Sequence, residues 1–425
     1  MCVEVLIAVA VGLFVLYCWD LVVSLAGFLP LRHPQSAEGP ERRFACIVCA
    51  HNEQRVIAGV VRALREQDYP PDLVRVFVVA DNCTDDTAAA ATSAGAEVLV
   101  RHDETKRTKG YALQWGMDQL LAHVDFDGLC VFDADNDVDR NFLRVMNGHL
   151  GSGSRAIQCF LDTKNPEDSW VTRCIALAYH VTNRFWMRSR ERLGLPATLG
   201  GTGFCLERGI VQEYRWDPGS LSEDLELAVK LTLDGIRVHF TPLTRIYDEK
   251  PPGLYASMRQ RMRWMQGHND VAFRWVSRCL WHAARAPSIG ALDVGLYLLQ
   301  PLRLLTAFLV MVALLVALAL DPSNPSVARA FSFSIPAVVL WGAVFLGYPL
   351  LVATAEGVGW FALKTLVPYV FFSFTWVPAV FLGLLRMRSR VWLHTKHVGE
   401  KVSGAPKGQP QGAASDRDHR GERGD

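Results

Sequence analysis

The chain has 425 residues, of which 50% are hydrophobic and 20% are charged, and its formal net charge is +1. This length accommodates one catalytic domain together with a membrane region. A nearly neutral charge balance lacks the strongly basic surface typical of nucleic-acid-binding proteins, so we expect no nucleic-acid partner.

The N-terminal segment is apolar. Residues 5–29 contain one acid, Asp20, and no small-residue cleavage site precedes the polar region that follows. A secretory signal peptide has a shorter apolar stretch and such a cleavage site. The sequence therefore predicts a transmembrane anchor over residues 1–30.

The C-terminal third holds more apolar segments, and each is long enough to cross the hydrocarbon core of a bilayer as a helix. They cover residues 302–320, 331–354 and 361–385. We assign residues 289–388 to a membrane region of about three hydrophobic segments. Residues 389–425 form a C-terminal segment whose Gly, Pro and charge-rich tail we expect to be disordered.

Arginines flank the first and the last apolar segments, which places both flanks in the cytoplasm by the positive-inside rule. They are Arg32, Arg42, Arg43, Arg386, Arg388 and Arg390. Three crossings after a cytoplasmic domain would instead put the C-terminus outside. Either one segment is re-entrant, with the segment containing Pro368 and Pro378 favoured, or the C-terminal arginines do not report topology. We expect a multi-pass protein of the cell membrane with a cytoplasmic catalytic domain.

Between the apolar segments, residues 31–250 alternate short apolar runs with helical patterns. The runs predict strands at residues 44–50, 74–80, 97–101, 129–133 and 156–161. This alternation predicts an α/β domain with a mostly parallel sheet covered on both faces, and ligands of such sheets bind at the carboxyl ends of the strands. Asp81 and Asp133 fall at two such ends.

The acids Asp133 and Asp135 flank a single residue at a strand end. Two carboxylates in this pattern can bind one divalent cation, and Mg²⁺ or Mn²⁺ accepts such ligands while keeping positions for phosphate oxygens. A cation there could neutralise negative charge on the phosphate groups of a ligand. The pattern alone is common, and further acids up to Asp139 also allow a loosely defined cation loop.

Other motifs have an ordinary structural interpretation beside a functional one. Asp81 is either a turn former or a ligand contact, and Lys109 is either a solvated lysine at a helix start or a ligand contact. Glu223 fits a capping box with Ser220. The small residues at 199–204 form either an ordinary turn or a loop that lets the backbone approach a ligand closely.

A run with the pattern Q-x-x-R-W is formed by Gln260, Arg263 and Trp264. It lies in an Arg- and Trp-rich stretch, residues 251–288, which predicts amphipathic helices at the membrane surface. A surface helix without chemistry accounts for most of this stretch. For the run itself we favour function, because Arg263 can bond a diphosphate and Trp264 offers an apolar face to a sugar ring.

Together, the Q-x-x-R-W run, the acidic clusters and the apolar segments resemble the membrane-embedded family 2 glycosyltransferases, which include cellulose, chitin, hyaluronan and poly-N-acetylglucosamine synthases. The resemblance implies a GT-A-type nucleotide-sugar-binding domain and a UDP-sugar donor. The donor contacts that it implies are Glu53, Asp81, Lys109, Asp133 and Asp135. The acceptor contacts are Gly201, Thr202, Gly203 and Trp264. The catalytic residues are Asp224 as general base, Gln260, Arg263 and Trp264.

We therefore expect a metal-dependent, inverting sugar transferase with a membrane-associated acceptor. A growing polysaccharide is favoured because Q-x-x-R-W is the pattern of polymerising members, and accessory export proteins are then possible partners. The alternative is a glycolipid synthase that transfers one sugar to a lipid. A non-catalytic export scaffold is disfavoured because every acidic motif is intact. Residues 392–395 weakly resemble a W-x-x-T element of the family.

Overall fold

The computed structural model describes residues 2–31, 41–214, 216, 219–323, 325, 327–329, 331, 332 and 347–387. The predicted disordered tail, the W-x-x-T element at 392–395 and part of the predicted apolar segment 331–354 lie outside these residues. The strands are β1 (Phe44–Ala50), β2 (Val74–Asp81), β3 (Glu97–Arg101), β4 (Gly128–Asp133), β5 (Asp137–Val138), β6 (Ala156–Thr163), β7 (Phe204–Glu207) and β8 (Val238–Asp248).

The helices of the catalytic region flank the sheet. They are α2 (Ile57–Arg65), α3 (Thr87–Ser93), α4 (Lys109–His123), α5 (Phe142–Gly151), α6 (Trp170–Val181), α7 (Ser189–Leu193), α8 (Arg208–Glu213) and α9 (Glu223–Leu233). Short 3₁₀ turns occur at Ala26–Phe28 and Pro71–Leu73, and a π-helical segment, Thr182–Arg188, joins α6 to α7.

Eight strands form one sheet in the order β3-β2-β1-β4-β7-β6-β8-β5. The ladders β1–β2, β1–β4, β2–β3 and β6–β8 are parallel, whereas β7 runs antiparallel to both β4 and β6. The predicted mostly parallel sheet and its five predicted strands are confirmed. Because β1 lies between β2 and β4, their carboxyl ends bring Asp81 and Asp133 to the same edge of the sheet.

The hydrophobic core lies on both faces of the sheet. Along β1, Ala45 and Ile47 pack into one cluster, while Cys46 and Val48 pack into the other. Side chains alternate between faces along a strand, so a strand covered on both sides is apolar throughout. This burial explains why β1 appears in the sequence as an uninterrupted apolar run.

Apolar helices occupy both ends of the described chain: α1 (Cys2–Leu25), α11 (Ile289–Leu298), α12 (Gln300–Leu320), α13 (whose described part is residues 347–355), α14 (Gly359–Phe374) and α15 (Trp376–Leu385). Three spans in the described part are long and apolar enough to cross a membrane: Glu4–Phe28, Gln300–Leu320 and Leu363–Leu385. These match the predicted anchor and two of the predicted C-terminal segments. Length and composition therefore indicate a membrane protein.

The Q-x-x-R-W run lies on one continuous helix, α10 (Leu254–Arg285), rather than on several. Tyr255, Phe273 and Trp281 are exposed along it by 76%, 74% and 60%. Exposed aromatic rings interspersed with arginines are typical of helices at the bilayer surface. Gln260, Arg263 and Trp264 of the run are each half-buried on this helix.

Candidate active site

A cavity of about 1090 Å³ opens at the carboxyl ends of β1, β2 and β4. All but one of the site residues predicted from the sequence line it: Glu53, Asp81, Lys109, Asp133, Asp135, Gly201, Thr202, Asp224, Gln260, Arg263 and Trp264. Gly203 is the exception, although it is next to Thr202. A concave site of this size, with several convergent polar groups, is typical of ligand-binding pockets.

Asp81 is held by an ion pair that the sequence did not predict. Its Oδ1 accepts hydrogen bonds from Arg101 Nη1 at 2.5 Å and from Asn82 Nδ2 at 3.0 Å. Arg101 ends β3 and is 6% exposed, and Asp81 is 7% exposed. A buried carboxylate needs such a partner to offset its desolvation. Arg101 thus fixes the orientation of Asp81 at the cavity wall.

Lys109 begins α4, whose N-cap Thr108 accepts a hydrogen bond from Tyr111 N. The Lys109 ammonium donates to Asp133 Oδ1 and, at 2.9 Å, to the Gly201 carbonyl. Burial lowers the pKa of Lys109, but the Asp133 carboxylate outweighs it, so the net shift of this pKa is upward. Lys109 therefore bridges a predicted donor residue, Asp133, and a predicted acceptor residue, Gly201, while its side chain stays 32% exposed.

Asp133 and Asp135 have different partners in this structure. The backbone N–H of Asp133 donates to Asn136 Oδ1 and to Thr202 Oγ1, at 2.9 and 3.0 Å. The Asp135 carboxylate accepts from the Glu249 N–H at 2.9 Å and is 7% exposed. Both carboxylates line the cavity, and Thr202 connects their loop to the glycine-rich loop.

A third carboxylate, which sequence analysis missed, lies beside them. Asp248 ends β8 and forms an ion pair with Lys250, which is 1% exposed. Its Oδ1 is buried without a hydrogen-bond partner among the described residues. Burial raises the pKa of Asp248 to about 6, with Lys250 opposing the shift and Asp135 adding to it. Its place at a strand end, like those of Asp81 and Asp133, is the signal that could have found it.

The glycine-rich loop approaches the acidic residues closely. Gly201 has φ +79°, and a Cβ added there would lie 3.2 Å from Asp224 Oδ2. Gly203 has φ +64°, and its Cβ would lie 2.7 Å from Cys159 Sγ. Both backbone conformations disfavour any side chain. The loop therefore requires glycine at both positions, which places its backbone close to Asp224.

Glu223 and Asp224 lie in the first turn of α9. Burial raises the pKa of Glu223 to about 7 and also raises the pKa of Asp224. Asp224 Oδ1 accepts a hydrogen bond from Leu225 N at 2.8 Å. The predicted capping box is wrong: α9 begins at Glu223 with Ser222 as its N-cap, so Ser220 is too far upstream. Glu223 instead packs against Gly110, where a Cβ would lie 2.0 Å from its Oε1.

The two arginines of the Q-x-x-R-W run point in different directions. Arg263 lines the cavity, where burial lowers its pKa while Asp133 and Glu223 oppose that shift. Arg261 is 1% exposed and donates to Thr375 Oγ1 at 2.8 Å, with its guanidinium 4.1 Å from the centre of the Phe372 ring. Arg263 thus lines the cavity, whereas Arg261 packs α10 against α14.

Aromatic side chains complete the wall of the cavity nearest the apolar helices. Trp264, Tyr179, Tyr297 and Trp376 all line it. The Lys250 ammonium lies 3.8 Å from the centre of the Tyr179 ring and 6.0 Å from that of Trp264. Among these rings only Trp264 was predicted from the sequence, because the others come from segments with no recognisable motif.

A family model described as "Glycosyltransferase like family 2" matches residues 40–267, more than half of the chain. The chain belongs to this family. The match covers the cavity residues from Glu53 to Trp264, whereas Tyr297 and Trp376 of the same cavity lie beyond it.

Three curated relatives match about half of this chain. The chain is 25% identical over 248 residues to the probable glycosyltransferase YdaM of Bacillus subtilis, covering 56% of this chain and 57% of that protein. It is 27% identical to beta-monoglucosyldiacylglycerol synthase of Synechocystis, covering 56% and 50%. It is 23% identical to poly-beta-1,6-N-acetyl-D-glucosamine synthase of Staphylococcus aureus, covering 54% and 55%. The chain spans about half the length of these curated relatives.

One solved structure shares the fold over most of its length. It is the mannosyltransferase PcManGT of Pyrobaculum calidifontis in complex with GDP-Man and Mn²⁺, with a TM-score of 0.56 and 19% identity. The match covers 90% of this chain and 99% of that one. The GT-A-type fold expected for this family member is confirmed.

Proposed function

We propose that the protein is an inverting glycosyltransferase that moves a sugar from a UDP-sugar to a membrane-associated acceptor. The observation that carries this proposal is one cavity lined by carboxylates, by Lys109 and by Arg263, at the strand ends of a GT-A-type sheet. The apolar helices beside the cavity favour an acceptor in or at a membrane. We propose a multi-pass arrangement in the cell membrane with the catalytic domain in the cytoplasm, as the arginines flanking the apolar segments favour.

The donor residues follow from their positions. Asp81 and Glu53 line the cavity at the ends of β2 and β1, where a uridine would bind. Lys109 and Arg263 are the cations facing Asp133, so they suit the diphosphate. A guanidinium can bond two phosphate oxygens at once. Gln260 lies one helical turn before Trp264 on the same wall of the cavity.

A divalent cation fits Asp133 and Asp135. The described residues contain no cluster of three or more metal-ligating side chains, so a cation would use these two carboxylates together with donor phosphate oxygens and water, as Mg²⁺ and Mn²⁺ do. The unpartnered Oδ1 of nearby Asp248 is consistent with added positive charge at this edge. When bound, the cation would neutralise charge on the diphosphate.

The acceptor side centres on Asp224. This carboxylate is half-buried beside the Gly201 backbone and takes the proton from the acceptor hydroxyl as the new C–O bond forms and the sugar–phosphate bond breaks. Gly201, Thr202 and Gly203 form the loop against which the acceptor would lie. Trp264 presents its ring to the acceptor sugar. One carboxylate acting in one displacement gives inversion at the anomeric carbon.

The test uses membranes containing the full chain, incubated with a panel of nucleotide sugars and Mg²⁺ or Mn²⁺ while released UDP is measured. We expect Asp224→Asn to lower kcat by roughly 10² to 10⁴ while donor affinity stays near normal. Asp234→Asn is the matched control, since Asp234 is exposed at the other end of α9 and bonds Tyr214. Parallel loss of donor affinity in Asp224→Asn would move Asp224 to the donor site.

A second candidate is transfer of one sugar to a lipid. It is favoured by the apolar side chains that continue the cavity wall towards α15, among them Met187, Tyr297 and Trp376. The glucosyldiacylglycerol synthase relatives act on a lipid by their names. A labelled product that extracts into organic solvent as a lipid with one sugar would decide for this candidate. A long water-soluble product would decide for a polysaccharide, and accessory export proteins remain a prediction tied to that outcome.

A further inference from the structure

A second, smaller cavity of about 210 Å³ lies against the π-helical segment Thr182–Arg188. Its wall contains three arginines and one glutamate: Arg184, Arg188, Arg245 and Glu356. The segment separates the two cavities, since Met187 lines the large one and Arg188 lines the small one. Neither the family motifs nor the proposed transfer reaction uses this second cavity.

Two of the arginines have carboxylate partners. Arg184 Nε donates to Glu356 Oε1 at 2.8 Å. Arg245 donates to Asp162 Oδ2 at 2.9 Å and to Glu356 Oε2 at 3.4 Å. These two guanidinium charges are therefore balanced by two carboxylates, and Arg188 adds a further positive charge to the same wall.

Arg188 has no carboxylate within ion-pair distance among the residues that the structure describes. Its Nη2 donates to the Leu29 carbonyl at 3.4 Å, and its buried Nε has no acceptor in the described part of the chain. A guanidinium fork with an unsatisfied donor, beside a second guanidinium, is a site that an anion would stabilise. The cavity thus combines a concave shape with an excess of one positive charge.

The cavity lies where the first apolar span ends. Arg184 Nη1 donates to the Gly27 carbonyl at 3.1 Å, and Arg188 bonds Leu29, immediately after the span Glu4–Phe28. On that span, Val22 and Leu25 are 68% and 53% exposed. An arginine pocket next to exposed apolar side chains matches the two parts of a phospholipid, because its phosphate sits at the bilayer surface and its acyl chains lie below.

We propose that this cavity binds the phosphate group of an anionic phospholipid, with Arg188 as its principal contact and Arg184 and Arg245 around it. The proposal rests on the membrane embedding proposed above, and it is independent of sugar transfer. The exposed apolar residues of α1 favour a lipid over free phosphate, which has no acyl chain to contact them.

The test measures lipid binding directly. The full chain is purified in detergent, delipidated, and titrated with dioleoyl phosphatidylglycerol or dioleoyl phosphatidylcholine, and the first bound lipid is quantified by native mass spectrometry. We expect tighter binding of the anionic lipid, and a loss of about fivefold in its affinity in Arg188→Gln, as expected for one cation at a membrane surface. Arg188→Lys keeps the charge but not the planar fork, so we expect an intermediate affinity.

Arg192→Gln is the matched control. Arg192 lies one helical turn further along the chain in α7, and it does not line the cavity. Equal binding of the two lipids by the wild-type protein would overturn the proposal, whether or not Arg188→Gln folds. So would equal losses in Arg188→Gln and Arg192→Gln, or displacement of the lipid by equimolar inorganic phosphate. Absence of sugar transfer would contradict the proposed function but leave this binding result valid.

Discussion

Replacement of Gly201 by Ala tests the contact between the glycine-rich loop and Asp224. Gly201 has φ +79°, so a side chain there costs about 1 kcal/mol of stability through backbone strain alone. In addition, the new Cβ would lie 3.2 Å from Asp224 Oδ2, and the carboxylate would have to move by a few tenths of an ångström. A 1 Å misplacement of a catalytic group costs about 10² in rate, so this smaller shift should lower kcat by roughly fourfold to tenfold.

Gly194→Ala separates the two effects. Gly194 has φ +75°, but a Cβ added there meets nothing within 4 Å. We expect similar losses of thermal stability in both variants, measured by unfolding in detergent, and a loss of kcat only in Gly201→Ala, measured by UDP release at saturating donor. Equal activity in the two variants, at equal folded fractions, would refute the reasoning that the loop positions Asp224.

Three further outcomes follow from the charges of the cavity. Chelation of divalent cations should abolish transfer, and Asp135→Asn should do so without loss of folding; full activity in excess chelator would exclude the metal. The pKa of Glu223 is raised to about 7 in the folded protein, so its contribution to stability is present at low pH and is lost as pH rises through about 7. Thermal unfolding from pH 5 to 8 should show this loss in the wild type, and Glu223→Gln should flatten it; an unchanged profile would contradict the raised pKa. Arg263→Lys should impair turnover nearly as much as Arg263→Ala, because an ammonium cannot bond two phosphate oxygens as a planar fork does. Arg259→Lys, an exposed change on the same helix, should leave activity intact; comparable loss there would point to α10 as a whole.

Local sequence patterns were sufficient to predict the sheet and much of the cavity. Parallel strands buried on both faces are apolar throughout, so β1 and β2 are visible in the sequence, and any polar residue that ends them is placed at the ligand-binding edge. Asp81 and Asp133 were found in this way. Lys109, Asp224 and Arg263 were added only by resemblance to family motifs, because the local sequence around each of them also fits an ordinary structural role.

Helix boundaries show where local patterns fail. Ser220 and Glu223 have the spacing of a capping box, but α9 begins at Glu223 itself, after Ser222. The close packing of Glu223 on Gly110 of α4 accompanies this start. A capping side chain provides only roughly 1 kcal/mol, and local spacing cannot predict contacts between segments more than a hundred positions apart.

Charged residues that contact each other but are distant in sequence could be identified only from the tertiary structure. Arg101 is an ordinary strand residue in the sequence, yet the β2–β3 ladder places it beside Asp81. Asp248 lies near Asp135 because β8 pairs with β5 and β6. No short sequence motif predicts this pairing. The sequence by itself thus determined which residue types end the strands and which segments are apolar enough for a membrane. Which charges face each other was decided by strand order and helix packing, because electrostatic partners depend on distance in space rather than on separation along the chain.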